Sequence, residues 1–543
     1  MLNAAVQFDA IVDEYLQRTF AQNPIEATAF GVHDHDTELG DYSAAGFAAR
    51  VQTGEQALKR VQDEVKAADL DPRRNTDYRL FTHHLEADIR LAKERPEWRL
   101  APSSYAMAAF GGVHLLMLRD YAPLALRVAQ MASRLRQVPS ALDEARRNLE
   151  NPPRLWTETA LETLAGGTGF IESLPALLGP QAPQAADALD RGVAEAVAAL
   201  QKYGEFLKDE LLPRSTGDYA LGTALFDYRL KHEHFLPWNG ADLIGIGERV
   251  FGETVAEMEA VAARLDTGRP WAEILDDLKN DHPTREQVMP EYIAAMARAK
   301  DFVRANDLAT LPEDDALELI DTPAFLRPII PYGAYMWPAP FEQRQKGYFY
   351  VTPVPDGLDA AETKERLRGH NRGHMALVAL HEAYPGHHLQ LVRSNGHASK
   401  LRQVVHSTVF AEGWALYCEE MMHEAGYYPN DGVRLLQLRD QLWRAGRVIV
   451  DVKLHSGAMG FDEAVDFMQQ RCHIERPNAI AEVKRYTQSP TQPMSYIIGK
   501  LLIQDIRRTV ERARGQQFSL RAFHDDLLSH GTIPPALVAE RMN

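Results

Sequence analysis

Histidine and glutamate side chains cluster in the segment ALHEAYPGHHLQ. His381 and Glu382 stand together at the end of an apolar stretch, and His387 and His388 follow a few residues later. In zinc hydrolases, neutral imidazoles and a carboxylate hold the metal, while a glutamate beside the first histidine takes a proton from the attacking water. The segment therefore predicts one zinc ion per chain, with Glu382 as the general base.

The spacing between the histidines requires a break in the helix. His387 follows His381 by six positions, which on a continuous helix would place the two imidazoles roughly 240° apart. Pro385 cannot donate to the carbonyl of residue 381 and its ring clashes with that carbonyl, so the helix must bend or end there. Gly386 supplies freedom for the break. The chain can then return His387 or His388 to the metal, and spacing alone leaves this choice open.

A third ligand is expected on a following helix. Glu412 stands in the segment VFAEGWALYCEE, twenty-five residues after His387 and among apolar neighbours. A buried carboxylate needs a partner, and a cation is the natural one. The alternative is an ordinary surface glutamate on a helix. Glu419 lies seven residues further on the same face, where it could orient a ligating imidazole.

Several other side chains are candidates for catalysis and substrate binding. Hydrolysis of an amide develops negative charge on the carbonyl oxygen, and Tyr496 or Tyr486 could donate a hydrogen bond to it. Arg485 could hold a substrate carboxylate in a bidentate grip. Tyr350, in an aromatic sheet segment, could line the substrate cleft. The alternatives are core tyrosines, a solvated arginine and a hydrophobic sheet packed on the helices.

The pattern of apolar residues predicts a mainly α fold. The segment from about 315 to 353 is rich in tyrosine, phenylalanine and isoleucine and is cut by five prolines before Pro353, which is typical of strands and turns. We therefore expect a large helical body with a small antiparallel β-sheet before the metal-site helix. Helical periodicity is found near 4–20, 44–68, 76–94, 183–212, 241–265, 283–305, 361–382, 398–426, 430–457, 461–472 and 493–513.

Length and composition limit the classes of protein. With 543 residues the chain is large enough for subdomains, and we divide it into an N-terminal helical region, 1–310, and a region with the sheet and the metal site, 311–543. A formal charge of −17 disfavours nucleic acid and acidic lipid as partners. The first residues lack a basic segment, and no apolar run approaches the ~20 residues of a membrane span. Cys418 and Cys472 fit a reducing compartment, so we expect a cytoplasmic location.

Three motifs carry a resemblance to a known family. HEAYPGHHLQ, FAEGWALYCEE and RYTQSPTQPMSYIIGK resemble the bacterial family named domain of unknown function 885, whose fold is similar to Taq-type carboxypeptidases and thimet-type oligopeptidases. The resemblance covers most of the chain, including the N-terminal pattern with Pro24, Gly31 and His33. It implies a helical, zincin-like peptidase. Aligning the Gly-His of those relatives with Gly386-His387 implies that His387 is the second ligand.

These observations predict a zinc-dependent metallohydrolase that cleaves peptide bonds, of the exopeptidase or short-peptide type. The expected partner is a peptide or peptide-like small molecule, and a homodimer remains open. Two alternatives are a hydrolase of a non-peptide amide and a non-catalytic helical binding protein with a structural metal. Glu382 argues against the latter, because a structural site needs no base beside its ligand.

Overall fold

The structure is a computed structural model that describes residues 4–313, 316–327, 330 and 332–542. The chain forms two compact units. Unit 1 comprises Met1–Tyr219, Pro323–Pro328 and Ala339–Gln343, and unit 2 comprises Ala220–Thr322, Ile329–Pro338 and Arg344–Asn543. The domain boundary between residues 310 and 311 stays a prediction from the sequence.

Unit 1 is built from helices that pack around a hydrophobic core. Its α-helices are α1 (Ala4–Gln22), α2 (Pro24–Phe30), α3 (Ala44–Glu64), α4 (Pro72–Glu94), α5 (Pro102–Leu118), α6 (Leu124–Leu135), α7 (Val138–Asn148), α8 (Arg154–Leu178) and α9 (Pro183–Phe206). Side-chain caps fix several starts; the Asp71 carboxylate, for example, accepts from the backbone N–H of Arg73 and of Arg74. Helix α5 packs on α6 and α8, and both of these pack on α9. Phe110 on α5, Met131 on α6 and Ile171 on α8 are fully buried in this core.

Unit 2 contains the predicted metal-site helices. Its α-helices are α10 (Thr223–His232), α11 (Gly240–Leu265), α12 (Trp271–Leu278), α13 (Val288–Ala305), α14 (Ala360–Gly369), α15 (Arg372–Glu382), α16 (His387–Asn395), α17 (Lys400–Val404), α18 (Thr408–Glu424), α19 (Asp431–His455), α20 (Phe461–Gln470), α21 (Arg476–Gln488), α22 (Ser495–Arg514), α23 (Leu520–Ser529) and α24 (Pro535–Met542). The side chains of Asn371 and Ser407 cap α15 and α18. Helix α11 packs along α19, and α18 packs along α22.

A small sheet precedes α14 and α15. Its strands are β1 (Ala316–Asp321), β2 (Gly333–Met336) and β3 (Lys346–Val351), in the order β1-β3-β2. Strand β2 is antiparallel to β3, but β1 is parallel to it, so the prediction of an antiparallel sheet was wrong for one pair. The chain reverses direction once before β2 and again before β3, and two reversals restore the direction of β1. Of the five predicted interrupting prolines, Pro328 and Pro331 lie outside the described residues.

The prediction of a mainly α protein with a small sheet is confirmed. The predicted helices correspond to helices of the structure, although two of them are divided: 361–382 into α14 and α15, and 398–426 into α17 and α18. Within the part of the chain that the structure describes, no helix combines the length and the apolar character needed to cross a membrane.

Candidate metal centre

The loop between α15 and α16 places the two histidines. Helix α15 ends at Glu382 and α16 begins at His387, which confirms the predicted break around Pro385. The indole N–H of Trp414, on α18, donates to the carbonyl oxygen of Pro385 at 2.8 Å and holds the loop. A Cβ atom on Gly386 would overlap the backbone carbonyl of His381, so only glycine fits at this close approach.

The histidines and Glu412 converge. Glu412 Oε2 lies 3.3 Å from His387 Nε2 and 3.9 Å from His381 Nε2. One ligand atom from each of the three residues lies within 4.8 Å of the other two. Ligands at about 2.1 Å from a tetrahedral zinc ion stand about 3.4 Å apart, and the two distances from Glu412 Oε2 to the imidazoles lie near this value. Glu412 Oε2 is also buried without a hydrogen bond, as expected of an oxygen that awaits a cation.

Close packing of α18 on α22 brings Glu412 near Tyr496. A Cβ atom on Gly413 would overlap the backbone of Gly499, so the two helices touch through glycines next to the site. The hydroxyl of Tyr496 faces Glu412 and helps to lower the pKa of this carboxyl. The Tyr496 ring stacks near the His381 imidazole, with centroids 6.5 Å apart. The predicted oxyanion donor thus lies beside the predicted ligands.

Glu419 orients the first imidazole. Its Oε1 lies 2.8 Å from His381 Nδ1, so Nδ1 carries the hydrogen and Nε2 is left with its lone pair toward Glu412. Glu419 is itself buried, 1% exposed, and Gln437 donates to its other oxygen at 3.5 Å. Burial raises the pKa of Glu419 to about 7.

Burial and neighbouring charges shift the pKa values of the groups at the centre. Burial raises the pKa of the partly buried Glu382 to about 7, the range of a general base at neutral pH. Burial and the charges of His387 and Arg444 hold the pKa of His381 well below its ordinary value, which keeps this imidazole neutral. Burial acts to raise the pKa of Glu412, but the close approach and charge of His387 outweigh it and lower the pKa to about 2.

The remaining predicted residues are placed differently. His388 is fully buried, and its Nδ1 forms a hydrogen bond with the hydroxyl of Tyr335 on β2 at 2.8 Å, so it is His387 that faces Glu412. Tyr350 lies on the central strand and is 2% exposed, which leaves almost no surface for a substrate. Tyr486 is fully buried, and its hydroxyl accepts from Arg447 Nε at 2.8 Å. The structure therefore commits Tyr486 to an internal network of α19 and α21.

Arg485 is near the centre but is already engaged. Its guanidinium donates to Glu482 Oε2 at 2.9 Å and to Gln492 Oε1 at 2.8 Å. Two residues near the centre were not predicted from the sequence. The amide of Gln492 lies 3.3 Å from Glu412 Oε1. The positive charge of Arg444 affects the pKa of His381, His387 and Glu382. The only sequence signal for Gln492 is its place four residues before Tyr496, in the turn that precedes α22.

Over residues 24–542 the sequence matches the family described as bacterial proteins of unknown function, DUF885. Two solved structures are similar: a candidate lipoprotein of unknown function from Shewanella oneidensis and a candidate lipoprotein from Colwellia psychrerythraea. The first is 23% identical, with a TM-score of 0.79 over 98% of this chain and 99% of that chain. The second is 18% identical, with a TM-score of 0.82 over 100% of this chain and 99% of that chain. At such identities the likeness shows the fold alone. No curated protein matches the chain.

Proposed function

This chain belongs to the DUF885 family of bacterial proteins, and we propose that it is a zinc-dependent hydrolase of peptide bonds. The observation that carries the proposal is the convergence of His381, His387 and Glu412, with ligand atoms within 4.8 Å of one another. Two imidazoles and one carboxylate are a common ligand set of catalytic zinc, which leaves room for water and substrate. The His-Glu pair at the end of α15 and the glutamate on a later helix also support a zincin-like relationship to Taq-type carboxypeptidases and thimet-type oligopeptidases.

Each side chain has a role in the proposed reaction. When bound, the zinc ion would polarise the attacking water and the substrate carbonyl. Glu382 accepts a proton from the water and returns it to the leaving amine. The Tyr496 hydroxyl donates a hydrogen bond to the carbonyl oxygen as negative charge develops there. Glu419 holds the His381 ring in the tautomer that presents Nε2.

The Glu382 carboxylate separates a catalyst from a binding protein with a structural metal. Glu382→Gln keeps the shape of the side chain and removes its basicity. Zinc content and thermal stability should stay at the wild-type level, whereas hydrolysis should fall by the ~10²–10⁴-fold typical of a lost general base. Glu273→Gln changes an exposed glutamate of the same unit and is the matched control.

The experiment has two readouts. Metal analysis of the purified protein should find one zinc per chain, and mass spectrometry of a peptide library should show cleavage by the wild type and the control. Zinc binding with cleavage of non-peptide amides alone would point to the other class of hydrolase. Zinc binding without any hydrolysis would leave a structural metal, and loss of zinc in Glu382→Gln would make Glu382 a ligand. Either of these last two results would refute the mechanism.

A further inference from the structure

Gln492 connects an arginine to the candidate metal centre. Arg485 Nη1 donates to Gln492 Oε1 at 2.8 Å. On the other side, Gln492 Nε2 lies 3.3 Å from Glu412 Oε1 and 3.3 Å from the Tyr496 hydroxyl oxygen. A guanidinium only donates, so the amide oxygen of Gln492 must face Arg485. The amide NH₂ group must therefore face Glu412 and Tyr496, and its two hydrogens serve one acceptor each.

A second contact, with Glu482, fixes the guanidinium of Arg485. Its Nη2 donates to Glu482 Oε2 at 2.9 Å, and the same oxygen accepts from Arg447 Nη2 at 2.9 Å. Glu482 is buried, with 8% of its surface exposed, and it lies one helical turn before Arg485 on α21. Both terminal nitrogens of Arg485 are thus engaged. A substrate carboxylate could bind this guanidinium only by displacing one of these partners, which disfavours the substrate-binding role expected from the sequence.

We propose that Arg485 and Gln492 are positioning residues, which fix the Glu412 carboxylate and the direction of the Tyr496 hydroxyl hydrogen. The amide of Gln492 engages Glu412 Oε1, and this leaves Oε2 as the oxygen that faces His381 and His387. The inference rests on the proposed function, because it assigns a role to residues around the same metal centre.

The direction of the Tyr496 hydrogen follows from the same contacts. The NH₂ group of Gln492 can only donate, so the Tyr496 oxygen is the acceptor in this contact. The hydroxyl hydrogen of Tyr496 must therefore point away from Gln492. That hydrogen is then available to Glu412 and, during the reaction, to a substrate carbonyl oxygen. The series of hydrogen bonds from Glu482 through Arg485 to Gln492 therefore orients both the proposed metal ligand, Glu412, and the proposed oxyanion donor, Tyr496.

Zinc affinity tests this inference without reliance on activity. The variants are Gln492→Met, Arg485→Met and the double variant, with Gln488→Met as the control. Gln488 lies on α21, and its amide donates to the backbone oxygen of Lys484 at 3.3 Å, outside the network. Competition with a chelator gives the zinc dissociation constant, the cobalt-loaded protein gives a ligand-field spectrum, and the melting temperature of the metal-free protein monitors folding.

Gln492→Met should weaken zinc binding by the ~10–100-fold typical of a lost partner of a ligand, and should alter the cobalt spectrum. Arg485→Met should weaken it in the same direction, and the double variant should bind no more weakly than Gln492→Met, because Arg485 acts through Gln492. The Gln488→Met control should bind as the wild type does. If Gln492→Met lowers the melting temperature of the metal-free protein, Gln492→Glu is measured instead. It keeps the shape, places an acceptor against Glu412 and should also weaken zinc binding.

The possible failures are distinguishable. A wild-type protein that binds no zinc refutes the proposed function itself. A wild type that binds zinc and cleaves peptides, with unchanged affinity and cobalt spectrum in the Gln492 variants, overturns the positioning role and leaves the function intact. Additive losses in the double variant would show that Arg485 acts independently of Gln492, which also overturns the inference.

Discussion

Asp451 anchors the turn that leads into the Tyr496 helix. It is fully buried on α19, and its two carboxylate oxygens accept from the backbone N–H groups of Thr491 and Met494, each at 3.2 Å. The arginines around it are Arg229 on α10 and Arg485 on α21, and the titratable imidazole of His455, on its own helix, lies 3.8 Å away. Asp451→Asn keeps the volume and removes the titration.

Burial raises the pKa of Asp451 from 3.8 to about 7, because the two N–H groups and the arginine charges only partly offset the lost hydration. Between these values the folded state binds more protons than the unfolded state. The contribution to stability is therefore complete below about pH 4 and is lost as the pH rises through about 7. About three pKa units correspond to at most ~4 kcal/mol, and rather more than half of this is lost between pH 5 and pH 8.

Asp451→Asn should be less stable than the wild type at pH 5. The NH₂ group of the introduced asparagine would face one of the two backbone N–H groups, and this buried donor would lose its acceptor. The difference in unfolding free energy should shrink by ~2–3 kcal/mol by pH 8, since only the wild type loses stability through this carboxyl. Urea unfolding of the metal-free protein at pH 5, 6, 7 and 8 measures it. Asp466→Asn, which removes an exposed carboxylate paired with Arg476, is the control. A constant difference between wild type and Asp451→Asn across this range would refute the reasoning.

Two further predictions concern the metal-site loop. His387→Ala should lose zinc, because it removes one of the three proposed ligands. His388→Ala should retain zinc, because that imidazole forms a hydrogen bond with Tyr335. Metal analysis of both proteins decides, and zinc loss in His388→Ala alone would reverse the assignment. Gly386→Ala should weaken zinc binding or prevent folding, because the added methyl group overlaps the backbone of His381. Calorimetry measures the melting temperature and metal analysis the zinc content. Wild-type values of both would contradict the observed loop.

The metal-site elements were predictable where the constraint is local. Pro385 cannot continue a helix, so the break between His381 and His387 follows from the sequence itself. Glu412 stood out because apolar residues surround a carboxylate, which is a local feature of composition. Gln492 had no such mark. Its role arises because Arg485 and Glu412, which are distant from each other in sequence, lie on opposite sides of one amide.

Tertiary packing explains one helix and one strand direction that were not predicted from the sequence. Helix α8 was not predicted, since glycines in its interior and Pro175 lower helix propensity. In the fold, the ring of Phe110 occupies the space beside Gly167, so burial outweighs propensity there. The direction of β1 relative to β3 was missed for a related reason, because strand order depends on where the connections run and not on the composition of the strands.

The groups that support the candidate centre come from several helices of unit 2. Glu419 and Glu412 lie on α18, Asp451 on α19 and Arg485 on α21, and the last two both hold the turn that carries Gln492. A carboxylate that only its own helix positions keeps its side-chain rotational freedom. The loss of that freedom when the side chain is ordered around an ion costs free energy. Here the surrounding hydrogen bonds order the proposed ligand Glu412 as the unit folds. We therefore expect the proposed centre to respond to changes at residues, such as Arg485, that touch no proposed ligand.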